Sequence, residues 1–147
     1  MCLPLTPYKI ESEFVHAGLK CVVVMAREAS HRCGYVRVPE GHPVHGWDYD
    51  RADVDVHGGL TFAEIEPCVE EDGKGWWFGF DCAHAWDAMY DPTVKLEDIQ
   101  DEVTRETCTI HRRFSFSTKT EHYWTQAEVE AETRNLAEQL ANISKNK

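Results

Sequence analysis

Two short stretches concentrate side chains able to do chemistry. Asp53-Val-Asp55-Val-His57-Gly58-Gly59-Leu60-Thr61 and Gly79-Phe80-Asp81-Cys82-Ala83-His84 each set His, Asp and a small residue side by side where a strand is expected to end. In the first, alternation predicts Val54 and Val56 on one side of a strand and Asp53, Asp55 and His57 on the other. Gly58 and Gly59 then permit positive φ and close approach of a ligand to the backbone, and Thr61 adds a hydroxyl. Such a strand end suits a polar ligand or a metal. A solvated edge strand closing in a Gly-Gly turn would show the same alternation.

In the second stretch, Asp81 and His84 leave an aromatic strand, with Asp87 just beyond. A carboxylate beside an imidazole fixes its tautomer and raises its basicity, which suits a general base or a metal ligand. His57, Asp81 and His84 are therefore the candidate catalytic residues, expected to converge at one rim of a sheet. Asp81 as a cap on the following turn is the plainer alternative. Cys82 would be a nucleophile only with its thiolate stabilised by His84. As one of the most buried residue types, it reads as core.

The loop Gly41–Arg51 carries His42, His45, Trp47, Asp48 and Tyr49, and His31 lies upstream. Three or four histidines with Asp55 or Asp81 could hold zinc or manganese. The HExxH spacing and any CxxC pair are absent, so a divalent metal such as zinc stays open rather than assigned. Among Arg27, Arg32, Arg37, Arg112 and Arg113, a guanidinium beside the Gly pair could hold phosphate, and a solvated strand face is the bland alternative. The candidate ligand-binding set is Asp55, Gly58, Gly59, Thr61, His42, His45, Arg32 and Trp77. No Walker loop, GxGxxG fingerprint or GxSxG elbow occurs.

The elements that must position these residues follow from periodicity. Ile10–His16 and Leu19–Ala26 read as strands around an Ala17-Gly18 turn, and the apolar run Cys21–Met25 suggests burial on both faces. Cys33–Val38, Ala52–His57, Leu60–Ile65 and Trp76–Phe80 are further predicted strands. Glu70–Gly75 is a turn, Thr93–Thr107 an amphipathic helix and Ile110–Ser117 an imperfect strand. Thr125-Gln-Ala-Glu128 is a capping box, with Trp124 before the cap and Val129 at N4 as a hydrophobic staple. Val129, Leu136, Leu140 and Ile143 continue at helical spacing. The fold class is thus α+β: a mostly antiparallel sheet with a long C-terminal helix packed on it, in one domain over residues 1–147.

Composition bounds the partners. With 147 residues, 42% of them hydrophobic, the chain can bury a core. Five Trp, five Tyr and six Phe supply that core and could supply a stacking platform. A formal net charge of −11 argues against general nucleic-acid binding, which rests on many cationic contacts to phosphate. No membrane span and no signal peptide are expected. The six Cys then read as reduced thiols of a cytosolic protein.

The runs His31-Arg-Cys-Gly-Tyr-Val-Arg-Val-Pro39, His42-Pro, Val56-His-Gly-Gly-Leu-Thr61 and Trp77-Phe-Gly-Phe-Asp-Cys-Ala-His84 together resemble a group of small, mostly uncharacterised proteins encoded by bacteriophages and prophages. The resemblance covers roughly residues 10–87 and the 124–140 helix. It implies a phage accessory protein in the bacterial host cytoplasm, where such proteins often counter host defence by sequestering or hydrolysing signal nucleotides. The leading expectation is a His/Asp-lined pocket that binds and sequesters a small nucleotide-type ligand. A metal- or His/Asp-dependent hydrolase of the phosphodiesterase kind, and an acidic protein-interaction factor, are the alternatives. Homo-oligomerisation stays open.

Overall fold

The computed structural model describes residues 2–84, 87–114 and 122–143. Strands β1 (Lys9–His16), β2 (Leu19–Met25), β3 (Arg32–Val38), β4 (Phe62–Ile65) and β5 (Trp76–Asp81) form one sheet in the order β1-β2-β3-β5-β4, every pair antiparallel. A short 3-10 helix (Leu96–Asp98) leads into α1 (Glu102–Phe114), and α2 (Gln126–Asn142) packs on β1, β2 and β3. The chain therefore adopts the expected α+β fold.

Local chemistry explains the main elements. Ala17 and Gly18 both have positive φ, +53° and +79°. That geometry in a two-residue loop matches the twist of a hairpin, here β1–β2. The β2 run is buried on both sides, as its composition predicts. Cys21 and Val23 join Val36, Val38, Phe78 and Phe80 beneath Val129, Leu136, Ala137 and Leu140 of α2. Val22 and Val24 face the other way with Cys33, Tyr35 and Trp77, covered by Leu3, Leu5, Ala26 and Phe62. Each fully buried aliphatic or aromatic side chain of this kind contributes about 1.5–3 kcal/mol. The helix reaches β3 because Gly34 has no side chain; a Cβ there would collide with Thr133 Oγ1 and the Phe80 ring. At the start of α2, Thr125 Oγ1 accepts from the Glu128 N–H at 3.3 Å and Glu128 Oε1 accepts from the Thr125 N–H at 3.1 Å.

Three expectations about elements are corrected. Ala52–His57 is not a strand. Its alternation is real, with Val56 buried and Asp53 and Asp55 exposed. The backbone groups of Asp55, however, pair with side chains of α2: its N–H donates to Gln139 Oε1 at 2.7 Å, and its carbonyl accepts from Asn135 Nδ2 and Gln139 Nε2. Two side-chain amides thus replace a neighbouring strand. The helix placed over Thr93–Thr107 begins later, at Glu102, because Asp101 caps it by accepting from the Thr104 N–H at 2.8 Å. It then runs through Phe114, across the segment expected as a strand, whose last residues 115–117 lie outside the described ones.

The cysteines are a fourth correction. Cys2 and Cys68 form a disulfide across a sequence separation of 66, while Cys21, Cys33, Cys82 and Cys108 are buried and free. The bridge pins the N-terminal segment whose Leu3 and Leu5 cover the second sheet face. Disulfides persist in oxidising surroundings, so cysteine usage no longer supports a cytosolic location. No helix among the described residues is long and apolar enough to cross a membrane.

Candidate functional site

The site is built where two connections meet at the end of β5. The ladder between β3 and β5 continues past Asp81 to a bond from the Cys82 N–H to the Arg32 carbonyl at 3.0 Å. Asp81 Oδ1 then accepts from the Ala83 N–H at 3.0 Å, turning the chain off the sheet. The turn closes when the Asp87 N–H donates to the His84 carbonyl at 2.9 Å and Asp87 Oδ2 accepts from the His84 N–H at 3.0 Å. From the other side, the segment held on α2 ends at His57. Gly58 follows at φ +69°, and the imidazole of His84 lies directly against its Cα.

Asp87 is the centre of this arrangement. Its carboxylate lies 2.8 and 3.0 Å from His57 Nε2 and 2.8 Å from His84 Nδ1. Its side chain is 1% exposed, whereas those of His57 and His84 are 12% and 17% exposed. Burial alone would raise the Asp87 pKa, but hydrogen bonds from His57 and from the His84 N–H and ring hold it below the ordinary carboxylate value. The two imidazoles meet edge to face, ring centres 5.0 Å apart. The indole of Trp124 lies over His57 at 4.2 Å and a 37° tilt.

Asp81 forms the outer part. Its Oδ2 accepts from Thr61 Oγ1 at 3.0 Å and its Oδ1 lies 3.8 Å from His84 Nε2. His57, Asp81 and His84 therefore do come together at the sheet rim. Asp87, which the sequence showed only as a residue just beyond the motif, is their hub. The signal for it was the i, i+3 spacing of His84 and Asp87 in a tight turn.

The other candidates are placed elsewhere. Asp55 is exposed along α2. His42 Nδ1 accepts from the Val44 N–H within its own loop, and His45 Nε2 pairs with the Lys74 carbonyl, tying that loop to the turn before β5. Trp77 is fully buried and donates to Glu66 at 3.0 Å. Arg32 bridges Glu11 and the Trp124 carbonyl, which braces the site from behind. Arg37 is buried between Glu66 and Asp72, and Arg112 donates to the carbonyls of Asp91 and Val94. Gly59 is beside Gly58, at φ +81° with open space where its side chain would be. Cys82 is buried, and that burial raises its thiol pKa, the reverse of what a nucleophile needs.

Chemically, the cluster favours cations. His57, His84 and Asp87 each offer a ligand atom, all within 4.8 Å of one another. Zinc takes nitrogen and carboxylate oxygen at about 2.0–2.2 Å, which sets tetrahedral ligand atoms roughly 3.3 Å apart. The 2.8 Å contacts of Asp87 would have to open by only about half an ångström. Asp87 is the carboxylate at this position, and Asp81 lies behind the His84 ring, 3.8 Å from its Nε2. No family model matches the chain, and neither does any curated protein or solved structure.

Proposed function

We propose that His57, His84 and Asp87 bind a divalent transition metal, zinc being the first candidate, and that the protein hydrolyses a phosphoester of a nucleotide-type ligand. The observation that carries the reading is that two imidazoles and one buried carboxylate bring a ligand atom each within 4.8 Å of one another. Three protein ligands are the pattern of catalytic rather than structural zinc, because a fourth position is left for water or substrate. A metal held by these residues would supply a bound water acidic enough to be deprotonated near neutral pH, the nucleophile that phosphoester hydrolysis needs. Asp81, 3.8 Å from His84 Nε2 on the side of the ring away from Asp87, would orient that imidazole and favour its ligating form. A cation held there would offset the Asp87 charge and let a phosphate approach. The resemblance to phage-encoded proteins supplies the substrate class, a signal nucleotide of host defence.

The test begins with metal analysis of the purified protein and zinc titration of metal-stripped protein. One zinc per chain, lost in His57→Ala, His84→Ala and Asp87→Ala, is the expected result; no zinc binding overturns the metal reading. Incubation with cyclic dinucleotides followed by denaturation then separates the activities. Cleaved product supports the hydrolase. Tightly bound ligand recovered intact replaces it with sequestration, and no binding leaves the protein-interaction alternative.

A further inference from the structure

The two faces of the sheet are covered by different means. One lies under α2, where Cys21 and Cys82 share a cluster with Val129, Leu136, Ala137 and Leu140. The other carries Val22, Val24, Cys33, Tyr35 and Trp77, and among the described residues no helix packs on it. Its cover is Leu3 and Leu5 of the N-terminal segment, with Ala26 and Phe62, all only partly buried. Among the described residues, no backbone–backbone hydrogen bond ties residues 3–8 to the sheet. The segment is fixed at its two ends, by the Cys2–Cys68 bridge and by the start of β1, where Lys9 pairs with Met25.

The two halves of the bridge are anchored unequally. Cys68 follows closely on Glu66, a fully buried carboxylate that accepts from Arg37, the Gly75 N–H and the Trp77 indole. The Glu66 N–H donates to the Gly75 carbonyl at 3.0 Å. Behind Cys2 stand only the two leucines. We propose that residues 2–8 are a redox-released strap, let go when a dithiol reductant opens the Cys2–Cys68 bridge. The reductant's thiolate attacks one sulfur and breaks the S–S bond, and its second thiol resolves the mixed disulfide. Two electrons and two protons pass to Cys2 and Cys68, which become thiols, and the reductant leaves as a disulfide. A segment pinned at both ends then becomes a tail pinned at one, and the freedom it regains favours release. Cys68 keeps its place, and the face below opens together with the Cys33 thiol. Cys21 and Cys82 stay under α2, and Cys108 stays in a separate cluster with Ala29 and Ile99. The strap is independent of the metal reading above.

Brief alkylation by iodoacetamide under native conditions, read residue by residue by mass spectrometry, tests this. The samples are oxidised wild type, wild type treated with dithiothreitol that is then removed, and Cys2→Ser. Cys33 labelling should rise at least about tenfold on reduction and in Cys2→Ser, as a local opening requires. Cys21, Cys82 and Cys108 should stay as protected as in the oxidised protein, and reoxidation should restore the protection of Cys33. Unchanged Cys33 labelling after reduction would show that the strap stays seated. Equal labelling of all four buried thiols would show that the whole fold opens instead. Either result overturns the proposal.

Discussion

The imidazole of His84 occupies the space that a side chain on Gly58 would need. The neighbouring Gly59 has the same left-handed backbone but open space around its missing Cβ. The two glycines thus separate backbone strain from site geometry. Ala at either position should cost roughly 1–3 kcal/mol in urea unfolding. Only Gly58→Ala should also displace His84 and weaken zinc binding, by at least about tenfold. Equal zinc affinities in the two variants would mean that His84 is not held in place by that contact.

Asp81 lies against His84 from outside, while His42 and His45 bond to backbone groups of Val44 and Lys74. Asp81→Asn should lower zinc affinity about 10–100-fold, the range for partners that orient a ligand. His42→Ala and His45→Ala should leave it within about twofold. A comparable loss in either loop variant, read by competition with a chelating dye, would show that the loop feeds the site after all.

Acid should weaken the fold through Asp87. Its pKa in the folded protein lies below the unfolded value of about 3.9. Its contribution is therefore complete above that value and is lost as pH falls through the folded pKa. Asp87→Asn should be less stable than wild type at pH 6 by about 1–3 kcal/mol, the cost of losing bonds to a buried charged acceptor. It should also lose less further stability between pH 5 and pH 3. Parallel acid limbs for the two proteins in denaturant titrations would contradict the assignment.

The disulfide gives a prediction independent of the site. A loop of this separation stabilises by up to roughly 4 kcal/mol in the chain-entropy account. Reduction, or Cys68→Ser, should lower the unfolding free energy by an amount up to that figure. The four free thiols are buried, and burial raises the thiol pKa of Cys21 to about 11 and of Cys33 to about 12. A thiol reagent should thus find no fast-reacting group in the native unreduced protein and four after denaturation. Six would show that Cys2 and Cys68 are unpaired.

Period and capping made the sheet and α2 legible from sequence. The unbroken apolar run of β2 could only be buried on both sides, and Thr125 with Glu128 marked the start of α2 to the residue. Ala52–His57 misled because burial alternates along any extended segment, whether its backbone bonds go to a strand or, as at Asp55, to Gln139 and Asn135. Those amides lie 84 and 80 residues away. Separation in sequence likewise hid the link between Asp87 and His57, 30 residues apart. His57, Asp81 and His84 were readable because residue type and spacing carry that chemistry. Arg37 was not: a guanidinium enclosed by Glu66 and Asp72 has the same one-letter signature as a solvated one.

Trp124 has one more consequence. It precedes the cap of α2, and its ring also rests on His57. The first turn of the helix and the His57 imidazole thus share a wall. Opening of that turn should release the ring, and a ligand that fixes the ring should slow the opening. Amide hydrogen exchange at Glu128 and Val129 would then be retarded by occupancy at a site they do not touch, and the indole fluorescence would report it. The helix start would then serve as a built-in gauge of whether the site is filled.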